Sequence, residues 1–282
     1  MQPLTIGNII TVGLQLYRSH LKLYLKLSLI AHLWLLIPIY GWAKFFATSA
    51  LISRLAFSNL IPERESFNAA KTQTYRKLWS FLIVGILVIL IPLLFSFIGV
   101  ILFSIIFGLI YGIVHVVSGL SLPAPPNSNN PFADPVSAAI FLPLGVLIYL
   151  SPLWFYSRLF ITDLTLGIDT NNNPFKGIKQ SWKLTKGYRI RLVAIILISF
   201  SITFPVLLII WQGLSRILSL LSYNFLRLYV AEQSIRLTLI LIILSLLTGI
   251  VIMPFWQAIK AVTYYDLRCR RESLDLKIRD QL

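Results

Sequence analysis

The chain has 282 residues, 57% of them hydrophobic and only 12% charged, with a mean hydropathy of +0.81 and a net charge of +15. That balance argues against a soluble domain and for a membrane protein. Redox and zinc chemistry are poor first readings, because Cys269 stands alone and His20, His32 and His115 are scattered; no cofactor or metal is expected.

The N-terminal stretch MQPLTIGNIITVGLQLYRSHLK lacks the early positive charges and short apolar core of a cleaved leader. It reads instead as an amphipathic segment, with Asn8, Thr11, Gln15, Ser19, Lys22 and Lys26 tracing one polar stripe. Apolar segments follow at about 24–42, 45–61, 79–118, 137–161, 192–213 and 237–259. Arg54 interrupts the second of these. The third is about 60 Å long as a straight helix, twice the hydrocarbon thickness. It must therefore tilt strongly, break near Pro92 or Gly99, project from the bilayer, or form two spans. Continuous apolar runs without alternation predict helices rather than barrel strands.

The linkers assign sides. Residues 118–137 (SGLSLPAPPNSNNPFADPVS) carry no Lys or Arg, as expected of a far-side loop. Residues 1–26 are net +3, 62–78 net +2, 163–191 net +4 and 260–282 net +2. By the positive-inside rule these four regions are cytoplasmic, with both termini. Six segments satisfy that arrangement, whereas seven would place the basic C-terminal region on the opposite side.

The cytoplasmic pieces also repeat. IGNIITVGLQLYRSHLKLYLKLSLI (6–30), FNAAKTQTYRKLWSFLIVGIL (67–87) and FKGIKQSWKLTKGYRIRLVAIIL (175–197) each run an amphipathic segment through a polar turn into a span. SRLAFSNL, SRLFITDL and IKAVTYYDL each place a cation, Arg54, Arg158 or Lys260, five or six residues before Asn59, Asp163 or Asp266. The expected architecture is all-α and polytopic: one integral membrane domain of three interfacial-helix and hairpin units (1–61, 62–163 and 164–267), with a short basic tail at 268–282.

In the third unit Asn173 and Pro174 predict a helix start and Gly187 a stop. Phe175, Ile178 and Trp182 form an apolar stripe beside Lys176, Lys179, Lys183 and Lys186, with Arg189 and Arg191 beyond. A helix of that pattern lies in a membrane interface, with its lysines reaching anionic headgroups. The ionisable residues near span ends are Arg54, Arg158, Asp163, Lys260 and Asp266. They form either an internal polar cluster that binds a headgroup or gates a path, or a set of anchors and helix-end ion pairs. The second is expected. His32 and His115 lack partners at matching depth and read as packing residues.

No GxSxG, HExxH, P-loop or dinucleotide-binding turn occurs. The basic residues are split over four segments that topology already explains, so nucleic acid is not an expected partner.

SWKLTKG (181–187), YYDLRCRRE (264–272) and the SRLFITDLTLGID ending of the fourth span resemble the bacterial glycerophosphoryl diester phosphodiesterase membrane-domain family and the related YciC-like inner-membrane proteins. The resemblance runs over nearly the whole chain. It implies a polytopic inner-membrane fold without hydrolase activity, because nothing here corresponds to the barrel that carries the phosphodiesterase residues. The expected function is non-enzymatic, a membrane-organising or lipid-associated role in which a basic cytoplasmic face meets the lipid bilayer's anionic headgroups or a protein partner. A transporter or transporter subunit is the alternative, suggested by Pro38, Pro92, Pro143, Pro152, Pro205 and Pro254.

Overall fold

Helix follows helix along the chain in a computed structural model that describes residues 3–62, 64–118, 152–168, 173–221 and 233–279, with no strand among them. In order these are α1 (Ile6–Ser19), α2 (Leu21–Trp34), α3 (Tyr40–Ser58), α4 (Phe67–Arg76), α5 (Leu78–Ser118), α6 (152–159), α7 (Thr162–Ile168), α8 (Pro174–Thr185), α9 (Arg189–Leu221) and α10 (Gln233–Arg279). The expected far-side loop and most of the fourth apolar segment lie outside the described residues.

Among the described residues three helices are long and apolar enough to cross a membrane, over Leu78–Ile105 of α5, Arg189–Ile217 of α9 and Leu241–Arg271 of α10. Only 28%, 22% and 39% of their most apolar windows is buried within the protein. The rest of that apolar surface points outward, as suits helices solvated by lipid. α5 runs unbroken through Pro92 and Gly99, so neither residue divides the long apolar run. Pro205 and Pro254 likewise sit inside α9 and α10.

The first two apolar segments fold differently from those that form α5, α9 and α10. α2 has 14 residues, about 21 Å at 1.5 Å per residue, short of the ~30 Å hydrocarbon core. It turns into α3 through Ile39, at φ 61°, and through Gly41, where any Cβ would run into the Trp34 carbonyl. α3 is buried from Ala47 through Ser58 and packs against α2, α4, α7 and α10. Its small residues Ala43, Ala47, Ala50, Ser53 and Ala56 explain why: they let neighbouring backbones approach closely from several sides. A helix built this way is suited to protein neighbours rather than to lipid.

Polar side chains start the three short helices. The Asn8 amide donates to Thr5 Oγ1 at 3.2 Å, the Ala69 amide to Ser66 Oγ at 3.3 Å and the Phe175 amide to Asn173 Oδ1 at 3.0 Å. Each bond satisfies one of the N–H groups a helix start leaves free. α1 docks on α10, α4 on α3 and α8 on α7. Small residues sit at these contacts: Gly13 faces Ile259, Ala70 is fully buried, and Gly177 faces Leu166.

The fold comprises two compact units, Met1–Gly85 with Arg158–Leu282, and Ile86–Ser157. Within the second, Phe95 and Phe155 stack with ring centroids 3.8 Å apart, and Ser96 Oγ donates to the Pro92 carbonyl at 2.8 Å.

Candidate functional site: buried cations and a basic helix face

Each cation singled out near a span end has a different set of partners. On α3, Arg54 grips Glu65 with two bonds, Nε to Oε2 at 2.7 Å and Nη2 to Oε1 at 2.8 Å. It also donates to Gln73 Oε1, and through Nη1 to the Gly167 carbonyl at 2.6 Å. Ser58 fixes this acid, its Oγ accepting the Glu65 amide at 2.6 Å. A planar guanidinium here serves two carboxylate oxygens, an amide oxygen and a carbonyl, four acceptors where a lysine ammonium has three N–H groups.

Arg158 is 1% exposed, and among the described residues no carboxylate pairs with it. Its Nη1 donates to the Trp182 carbonyl at 3.0 Å and to Thr185 Oγ1 at 3.4 Å, and its guanidinium lies 5.1 Å from the Trp182 ring centroid. Trp182 and Thr185 belong to the last turn of α8, where carbonyls lack intrahelical partners and the helix dipole is negative. The helix end therefore takes the place of a counter-ion. Ser181 Oγ returns a bond to the Arg158 carbonyl at 2.7 Å, locking the two segments together.

The same device recurs at α7. Lys77, 6% exposed, donates from Nζ to the Leu166 carbonyl at 2.9 Å, next to the Gly167 carbonyl held by Arg54. Two cations thus meet the C-terminal carbonyls of one seven-residue helix. At its other end Asp163 lies in the first turn, where negative charge is favoured, and pairs with Lys260 Nζ at 2.9 Å.

Asp266 is the hub of the last cluster. Its side chain is 1% exposed and takes Arg191 at 3.1 Å, Arg270 at 3.0 Å and the Leu4 amide at 2.7 Å. The Leu4 carbonyl in turn accepts from Arg191 and, at 2.8 Å, from Arg270. One carboxylate and the backbone of one residue, Leu4, so tie the segment leading into α1 to α9 and α10.

Of the five sequence candidates, then, only Asp163 and Lys260 are brought together as a pair; Arg54, Arg158 and Asp266 go to separate partners. Arg191, grouped in the sequence reading with the headgroup-facing lysines, turns inward to Asp266. Arg189 is half-buried at the start of α9.

α8 begins at its Asn173 cap, and Gly187 beyond its end has φ +88°, a left-handed conformation that suits glycine. Its buried residues are Gly177, Ser181 and Thr185. Lys176, Lys179, Lys183 and Lys186 are all exposed, as are Phe175 (66%) and Trp182 (38%). Phe175 thus lies outside the docking face, while the Trp182 ring covers Arg158 on one side and stays partly open on the other.

Several polar contacts had no signal in the sequence. Gln257 of α10 bridges two α3 hydroxyls, accepting from Ser53 Oγ at 2.5 Å and donating to Ser49 Oγ at 2.5 Å. A glutamine in an apolar run gives no hint of which helix it faces. Lys77 was counted only as linker charge. His32 was expected to be a packing residue, and its Nδ1 lies 2.8 Å from the Ser28 carbonyl while its ring faces Gly249 of α10.

Comparison of the chain with family models, with curated proteins and with solved structures finds no match.

Proposed function

We propose that the chain is a non-enzymatic, multi-pass inner-membrane protein that organises or associates with lipid, its basic cytoplasmic face carried chiefly by α8. One observation carries this reading. α8 docks through Gly177, Ser181 and Thr185, which leaves Phe175, Trp182 and four lysines outward. An exposed apolar stripe edged with lysines suits the boundary between acyl chains and anionic headgroups.

The chain is further read as three units, 1–61, 62–163 and 164–267. A capped short helix stands near the start of each, with α4 lying on α3, α8 on α7 and α1 on α10. The α2–α3 hairpin enters and leaves by one face, so its depth does not alter the side on which the basic segments lie. The resemblance of SWKLTKG and YYDLRCRRE to the phosphodiesterase membrane-domain family and YciC-like proteins agrees with this reading. The transporter alternative draws no support from Pro92, Pro205 and Pro254, which lie within continuous helices.

The test uses a Phe175→Cys variant of the whole chain carrying an environment-sensitive fluorophore; native Cys269 is buried. In liposomes the emission should shift to the blue, further with phosphatidylglycerol present and less so at high salt. Emission identical in detergent, neutral liposomes and anionic liposomes would remove the basis of the proposal.

A further inference from the structure

A crevice of about 470 Å3 opens where α2, α3 and α4 meet. Its apolar wall is Leu23, Leu27, Ile30 and Leu51. Three lysines line it, one from each helix: Lys26, Lys44 and Lys71. Among the described residues none of the three pairs with a carboxylate; the acids in ion pairs there are Glu65, Asp163 and Asp266.

Lys44 is the informative member. It is half-buried, and its ammonium lies 4.2 Å from the Tyr75 ring centroid, 5.5 Å from that of Tyr40 and 5.8 Å from that of Trp34. Aromatic faces attract the charge, but they do not replace the oxygen acceptors that an ammonium's three N–H groups want. Tyr75 is held in place by Thr48, their hydroxyls 3.1 Å apart. The cation is thus positioned by a built aromatic setting, and among the described residues no oxygen accepts from its ammonium.

We propose that this crevice binds one anionic phospholipid, its phosphate held among Lys26, Lys44 and Lys71 and an acyl chain laid along Leu23, Leu27, Ile30 and Leu51. The charge complementarity is one-sided: three cations, no acid, and an apolar floor that a free inorganic anion would leave uncovered. A volume of about 470 Å3 lies within the ~300–1,000 Å3 typical of ligand clefts. A second protein chain would not need a pocket that joins ammonium groups to a greasy wall of this size. The inference rests on the proposed membrane role only in placing the chain in a bilayer, since it uses none of the α8 lysines.

Native mass spectrometry of the full chain, purified in neutral detergent and offered phosphatidylglycerol or phosphatidylcholine, reads out the site. One retained phosphatidylglycerol is expected, with phosphatidylcholine held far less. A variant combining Lys26→Gln, Lys44→Gln and Lys71→Gln should lower its relative affinity by about a hundredfold, the scale of three lysine contacts with an anionic headgroup. Ile30→Trp, which fills the crevice without changing charge, should abolish retention too, and covers the case in which the lysine variant fails to fold. A variant with Gln at Lys176, Lys179, Lys183 and Lys186 should keep the lipid. Retention unchanged in both crevice variants, equal retention of phosphatidylcholine, or displacement of the lipid by millimolar inorganic phosphate overturns the assignment. Loss only in the α8 variant would place the lipid on the surface helix and likewise overturn it, while leaving the proposed membrane role standing.

Discussion

Asp266 and Arg158 are equally inaccessible, at 1% exposure each, yet their charges are compensated in opposite ways. Asp266 is surrounded by two guanidinium groups and a backbone amide. Arg158 meets the carbonyl end of α8 and the face of Trp182. The first is a network in which removing the anion strands two cations. The second is a cap, in which removing the cation frees helix carbonyls but strands no ion. Buried charge in this protein is therefore of two kinds, and they should respond differently to substitution.

The largest expected effect is that of Asp266→Ala. Losing the hub of a buried ionic network costs about 3–5 kcal/mol, and here it also releases the segment before α1. Thermal denaturation in detergent should show a clear fall in midpoint, and the Leu4 amide should lose protection from hydrogen exchange. A loss no greater than that of Arg158→Ala would break the distinction between network and cap.

Arg158→Met comes next, and keeps volume while removing the charge. It should cost about 1–2 kcal/mol, the range for a favourably placed helix-end cation and its charged hydrogen bonds. Hydrogen exchange should rise in the last turn of α8, a readout that packing loss alone does not localise. A destabilisation matching that of Asp266→Ala would mean that the helix end is no mere cap.

Gln257→Leu sharpens the comparison with a neutral pair. It leaves Ser49 and Ser53 without their interhelical partner, and such unsatisfied groups cost about 1–3 kcal/mol. Ser53 retains an option within α3, since its Oγ already reaches the Ser49 carbonyl at 3.4 Å. The expected loss is therefore at the lower end, measured in the same melts. An increase in stability would show that the α3–α10 contact prefers an apolar residue.

Smallest of all should be the effect on stability of Gln at Lys176, Lys179, Lys183 and Lys186, because all four are exposed and no carboxylate pairs with them among the described residues. Midpoints should stay unchanged, while the salt-sensitive response of a Phe175 label to anionic liposomes disappears. A marked loss of stability would mean that these lysines hold the fold.

Much of this was legible beforehand where the physics is local. The cap at Asn173, the stop at Gly187 and the lysine stripe of α8 depend on neighbours a turn away, and the sequence carries those neighbours. The long apolar runs of α5, α9 and α10 announce themselves because hydropathy over twenty residues is a property of the run itself. For the same reason the sequence does not tell the α2–α3 hairpin from the longer helices. Its average hydropathy resembles that of a span, but the turn at Ile39 and Gly41 cuts α2 short, and Ala and Ser along α3 select protein neighbours over lipid. The Arg191 contact with Asp266 was not legible, because that partner lies 75 positions away on α10.

By itself, then, the amino-acid order determined a helical chain with apolar runs of spanning length, capped short helices and a basic face on α8, all consequences of contacts within a few residues or of summed transfer energies. Tertiary structure alone decided which charges are paired. Gly167 and Leu166 become the acceptors for Arg54 and Lys77, Leu4 the third partner of Asp266, and Lys26, Lys44 and Lys71 neighbours around one crevice, because helix packing joins residues that no periodicity relates.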